Sequence, residues 1–150
     1  MLEQVMAAFV LFTAASQTFA LPASCALQVL RMAAPTPVPG APPHLRGVLD
    51  VHGTLVPVVD VAARLGAPGR PARPEDQLLL AEAGGRRVAL QVDRVLEVRE
   101  VTEESVETHP EWISTSPLSA GAVRLPEGVV VVQSLESWLA DPALGAVPTP

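Results

Sequence analysis

The acids best embedded in apolar sequence are Asp60, within TLVPVVDV, and Asp93, within VALQVDRV. Two carboxylates can act together as acid and base only if their surroundings split their pKa values. The competing reading is local: Asp60 caps a short helix by accepting backbone N–H groups, and Asp93 fixes a turn. The local reading is preferred, because nothing else reactive stands beside either acid. The three histidines, His44, His52 and His109, lack metalloprotease spacing and have no neighbouring Cys or acid in a ligand pattern. No G-x-S-x-G elbow, Walker loop or G-x-G-x-x-G occurs. Gly84-Gly85 reads as a turn, and Cys25, among apolar neighbours, reads as an inert buried thiol. No catalytic residue, metal or cofactor is expected.

The elements that would position these residues are short. Residues 9–13 (FVLFT) and 19–21 (FAL) read as two strands joined through Ser16-Gln17-Thr18, and residues 28–32 as a third. Pro35, Pro37, Pro39, Pro42 and Pro43 follow; they exclude helix and a regular ladder. That stretch reads as a stiff connection, with a polyproline ligand as the alternative. Residues 47–51 and 54–61 form a hairpin about His52-Gly53, the second run apolar enough to be buried on both faces. Asp60 then starts a short helix that Gly66 stops.

Residues 67–76 (APGRPARPED) are the expected mobile surface loop. The second half repeats the style of the first without its sequence. Residues 77–83 and 86–92 flank Gly84-Gly85, residues 95–101 alternate as a half-exposed strand, and residues 102–119 are acidic and irregular. Residues 122–125 and 129–132 form a third hairpin about Pro126-Glu127-Gly128. Ser134 caps a last helix through Ala140 that turns Trp138 and Leu139 inward, and the chain from Asp141 is expected to be loose. About ten short strands against two short helices argue for β-barrels. One lobe should centre on residues 47–60 and the other on residues 78–93.

The chain has 150 residues, 49% hydrophobic and 17% charged, enough for one domain with a sizeable core and unlike a disordered chain. Net charge is −6 and every basic residue is Arg. Such a chain cannot easily supply the phosphate contacts of nucleic-acid binding. One cysteine excludes an internal disulfide and fits a reducing cytosol. The apolar run near the N-terminus lacks a positive n-region and falls short of a membrane helix, so it is read as strand rather than signal or anchor.

Residues 43–60, PHLRGVLDVHGTLVPVVD, resemble the central signature of CheW-like coupling proteins, roughly P-x-x-h-x-G-h-h-N-h-R-G-x-h-h-P-h-h-D with h apolar. Residues 10–12 and 19–21 resemble the family's opening hairpin, and Ala26, Gln28 and Val29 fall on its V-x-E-I strand. Val92-Asp93-Arg94-Val95 resembles its V-D-x-V motif, and residues 129–139 its closing strand and helix. The resemblance runs from about Phe9 to Leu139.

It implies a mainly β fold of two intertwined five-strand barrels with a few short helices. A domain over 1–142 would carry a flexible tail at 143–150. It also implies a non-catalytic cytoplasmic adaptor between methyl-accepting chemoreceptor tips and a CheA-type histidine kinase, with self-association in arrays and an apolar groove between the lobes. The implied partner-facing set is Ala26, Gln28, Arg46, Gly47, Asp50, Val51, His52 and Gly53. Pro57, Asp60, Val92, Asp93 and Val95 are motif positions of structural use. Gly47 and Gly53 are expected where a Cβ would disturb the backbone.

Four positions depart from the family: Asp50 for Asn, His52 for Arg, Gln28 for the acid and Ala26 for Val. His is smaller than Arg and mostly uncharged at pH 7, and Asp replaces a donor-acceptor amide with an acceptor. The departures leave two readings, a co-adapted receptor or a divergent accessory member keeping one interface. A small secreted β-barrel binder and a small hydrolase are the readings from other classes.

Overall fold

The computed structural model describes residues 5–108 and 117–146. His109 and Trp112 lie outside the described residues. Eleven strands form two curled sheets. The strands are β1 (Met6–Ala14), β2 (Gln17–Pro22), β3 (Ala26–Arg31), β4 (Leu45–Val51), β5 (Thr54–Asp60) and β6 (Gln77–Ala83). They continue with β7 (Arg86–Val92), β8 (Arg94–Thr102), β9 (Val106–Glu107), β10 (Ser119–Leu125) and β11 (Gly128–Gln133). Two short helices are α1 (Val61–Arg64) and α2 (Leu135–Leu139). One sheet runs β8-β1-β2-β11-β10-β9 and the other β3-β6-β7-β5-β4. The fold is the expected pair of intertwined β lobes, with the two-residue β9 as a sixth strand in one of them.

Near-continuous apolar runs follow from burial on both faces. Side chains alternate along a strand, so Phe9 and Leu11 of β1 enter the interior of the six-stranded sheet. Val10, Phe12 and Ala14 enter a core shared between the sheets. In β6, Leu78 and Leu80 fill the five-stranded sheet while Leu79 and Ala81 join the shared core. That core also takes Trp138 and Leu139 of α2, whose first turn Ser134 caps through the Ser137 N–H. Trp138 Nε1 donates to Gln133 Oε1 at 3.1 Å, leaving no unpaired indole donor in the core.

Several expectations need correction. The hairpins at 47–60 and 78–93 do not centre separate lobes; both lie in the five-stranded sheet, where β5 pairs in parallel with β7. The cause is an exchange. Hairpin β1–β2 of the first half sits with β8 to β11 of the second, and hairpin β6–β7 sits with β3 to β5. Strand order is therefore the same in both sheets with the halves interchanged. The first turn is Ala15-Ser16, both in left-handed conformation, so Gln17 and Thr18 already belong to β2. A two-residue turn of that hand matches the strand twist. The Pro-rich stretch does contribute to a ladder: Thr36 exchanges both backbone bonds with Val48 at 2.9 Å. The end is packed beyond 142. Pro142–Ala146 is a 3-10 turn, and Leu144 is buried in the shared core.

Candidate interaction site

Among the implied positions, the outward ones are Gln28 on β3 and Asp50, His52 and Gly53 at the β4–β5 turn; Ala26 is half-buried. β3 and β4 are the two end strands of one sheet, and the segment after β3 reaches β4 through Thr36–Val48. His52 and Gly53 both have positive φ, 51° and 88°, the geometry of a tight hairpin turn. Asp50 Oδ1 accepts the Gly53 N–H at 2.8 Å, so this acid closes its own turn.

Val51 and Gly47 cannot present side-chain contacts. Val51 is buried with Val56 and Val58. Gly47 lies under Thr36, whose carbonyl oxygen would stand 2.1 Å from an added Cβ. Arg46 is also turned to structural use. Its Nη2 donates to Asp60 Oδ2 at 2.6 Å and to the Arg70 carbonyl at 2.7 Å.

The motif positions behave as supports. Asp60 caps α1 through the Ala63 N–H and takes Arg46 on its other oxygen. Pro57 pairs with Val48, whose own N–H and C=O both turn to Thr36. The ladder to β7 starts only at Val58, so the donor that Pro57 lacks is not required. The Asp93 N–H donates to the Thr13 carbonyl at 2.8 Å where the chain crosses between sheets, and the Val95 N–H donates to Gln77 Oε1. Val92 is buried in the shared core.

An ion network that the sequence reading missed holds this crossover. Arg70 makes a bidentate pair with Asp76 at 2.9 Å and donates to Asp93 Oδ1 at 2.9 Å. Asp76 also accepts from the Arg73 N–H and from Gln91 Nε2. Burial pushes the Asp76 carboxyl up, but Arg70, the Arg73 N–H and Gln91 outweigh it and hold the group below its ordinary value. The loop expected to be mobile is thereby pinned at Arg70. The only hint in sequence was an acid abutting QLLLA.

Elsewhere His44 Nε2 and Asp141 Oδ2 bond at 2.5 Å and tie the chain after α2 to the entry of β4. An apolar depression of about 450 Å³ is present among the described residues. It opens in the six-stranded sheet, where Ala7, Ala23 and Ala120 leave space around Phe9, with Pro22 and Val106 as walls. Among the described residues, no cluster of three or more His, Cys, Asp or Glu is placed to hold a metal. No described helix is long and apolar enough to cross a membrane.

Residues 8–143 match the family model of the CheW-like domain. The chain belongs to the CheW-like family. It is 30% identical over 110 residues to a probable chemotaxis protein CheW of Rhizobium etli, covering 71% of this chain and 70% of the relative. A chemotaxis protein CheW of Rhizobium meliloti is 32% identical over 79 residues, about half of each chain. The crystal structure of the scaffolding protein TtCheW from Thermoanaerobacter tengcongensis superposes with a TM-score of 0.84 at 22% identity, over 93% of this chain and 96% of that one. The CheW-like fold therefore spans both sheets, including the closing hairpin and α2.

Proposed function

We propose that this chain is a non-catalytic, cytoplasmic adaptor of a bacterial chemosensory system, coupling receptor signalling tips to a CheA-type histidine kinase. The family match across residues 8–143 carries the reading. Two sheets that share one core support it, because they offer separate faces on one domain. The receptor face comprises Gln28, Asp50, His52 and Gly53 with Ala26 beside them; buried Gly47 and Val51 set its shape. Nucleic acid and membrane insertion have no part in it.

Co-purification from the native cell, scoring receptors and kinase separately, tests the reading. Both partners should be retained, and retention of neither would overturn it. A second reading, an accessory member keeping only one interface, is favoured by Asp50, which stands where the family has Asn and whose exposed carboxylate already has one oxygen engaged with the Gly53 N–H. Retention of one partner alone would select that reading.

A further inference from the structure

The two halves correspond residue by residue. In β3 the ladder to β6 skips Leu27, and in β8 the ladder to β1 skips Leu96. The residues before these bulges, Ala26 and Val95, pair with Ala81 and Phe12, each two places before the end of its strand. Gly47 and Gly121 sit at matching slips, each 2.1 Å from a carbonyl oxygen were a Cβ added. Leu55 pairs with Asp50 as Val129 pairs with Arg124. Leu27, Val29 and Leu55 therefore correspond to Leu96, Val98 and Val129, and all six are exposed.

Two of the second set, Leu96 and Val129, line a depression of about 270 Å³ together with buried Leu11 and Leu125. Arg99 donates to Glu97 at 2.7 Å and, bidentately, to Glu127 at 3.0 and 2.8 Å. The Arg99 side chain is 25% exposed against 48% for Glu97 and 58% for Glu127, so an approaching partner meets carboxylate first. The positions equivalent to Glu97 and Glu127 in the other half are Gln28 and Gly53, which are uncharged. The first face carries one exposed carboxylate, Asp50, bonded to the Gly53 N–H, whereas the second carries two.

We propose that the depression between β8 and the β10–β11 turn is a second protein-docking site, taking a partner segment whose branched apolar side chain is flanked by arginine or lysine. The apolar group enters between Leu96 and Val129, and the cation meets Glu97 Oε2, which Arg99 does not take, and the exposed side of the Glu127 carboxylate, whose two oxygens also hold Arg99. Arg99 holds both carboxyls below their ordinary values, Glu127 at about 2, so the rim stays anionic into mildly acidic solution. The inference deepens the adaptor reading and rests on it for its biological use, since an adaptor needs a second face.

Two synthetic amphipathic helical peptides with one leucine stripe, flanked by arginines or by glutamates, test the site. Each is titrated into the full chain with labelled Leu and Val methyl groups. The arginine peptide should shift the Leu96 and Val129 methyls and bind at least about ten-fold more tightly than the glutamate peptide. Glu127→Gln and added salt should each weaken it several-fold, and Val129→Asp, at an exposed position, should abolish it with the fold intact. Equal affinity for the two peptides would overturn the proposal, as would shifts centred on Leu27 and Leu55. So would Leu96 and Val129 shifts that depend on protein concentration without peptide, which would assign the face to a second copy. The peptides decide this site, and co-purification decides the adaptor reading independently.

Discussion

A Cβ on Gly47 would meet the Thr36 carbonyl oxygen at 2.1 Å, whereas one on Gly53 would meet nothing within 4 Å. Both have positive φ, so both substitutions are strained, but only the first also forces backbone apart. Gly53→Ala should cost about 1 kcal/mol and Gly53→Val on the order of 1–3. Gly47→Ala should exceed about 2 kcal/mol. Urea unfolding of each variant checks this, and equal midpoints would contradict it. His52 poses a different question, because its left-handed φ of 51° is one that His tolerates better than most side chains. His52→Arg restores the family's usual residue and adds charge. Binding to the receptor signalling tip should change several-fold at fixed salt, weaker if the receptor is matched to His and stronger if it retains the usual complement. An unchanged affinity in a folded variant would remove this turn from the receptor face.

Between the elements, the 67–76 segment does more than connect. Arg70 joins β6, through Asp76, to the β7–β8 crossover, through Asp93, while its carbonyl holds Arg46 of β4. Removing one partner of a buried pair leaves an uncompensated charge. Arg70→Ala should therefore cost about 2–3 kcal/mol, below the fully buried range because Arg70 is partly exposed. Arg70, the Arg73 N–H and Gln91 hold the folded Asp76 carboxyl below its ordinary value. Its stabilisation is complete above that value and is lost as pH falls through the lower, folded value. Asp76→Asn should be less stable than the parent at pH 7, and the gap should narrow below about pH 4. A gap constant down to pH 2 would contradict this assignment. Hairpins, caps and helix ends were legible in sequence because their signals are local: His52-Gly53, Gly84-Gly85, Asp60 and Ser134. The Arg70 network was not, because it joins residues up to 24 positions apart across a loop whose composition only says irregular.

At the scale of the whole molecule, the exchange of hairpins explains why the lobes were misassigned. Each hairpin announces itself, but the parallel pairing of β5 with β7 and of β2 with β11 is a long-range choice that no local pattern encodes. The doubled burial of β1 and β6, each feeding its own sheet and the shared core, was visible only as apolar runs. The proposed receptor face comes from the family resemblance, and only part of it is exposed, since burial removes Val51 and Gly47 from direct contact. The acidic-rimmed face at Leu96 and Val129 emerged only from the register of the ladders. What unites these features is two sheets on one shared core with separate faces, and the central claim is bridging. The most direct measurement is analytical ultracentrifugation of purified receptor signalling tip and CheA-type kinase, with and without this chain. The adaptor account predicts a co-sedimenting complex of all three that forms only when the chain is present; two separate binary complexes, or none, would contradict it.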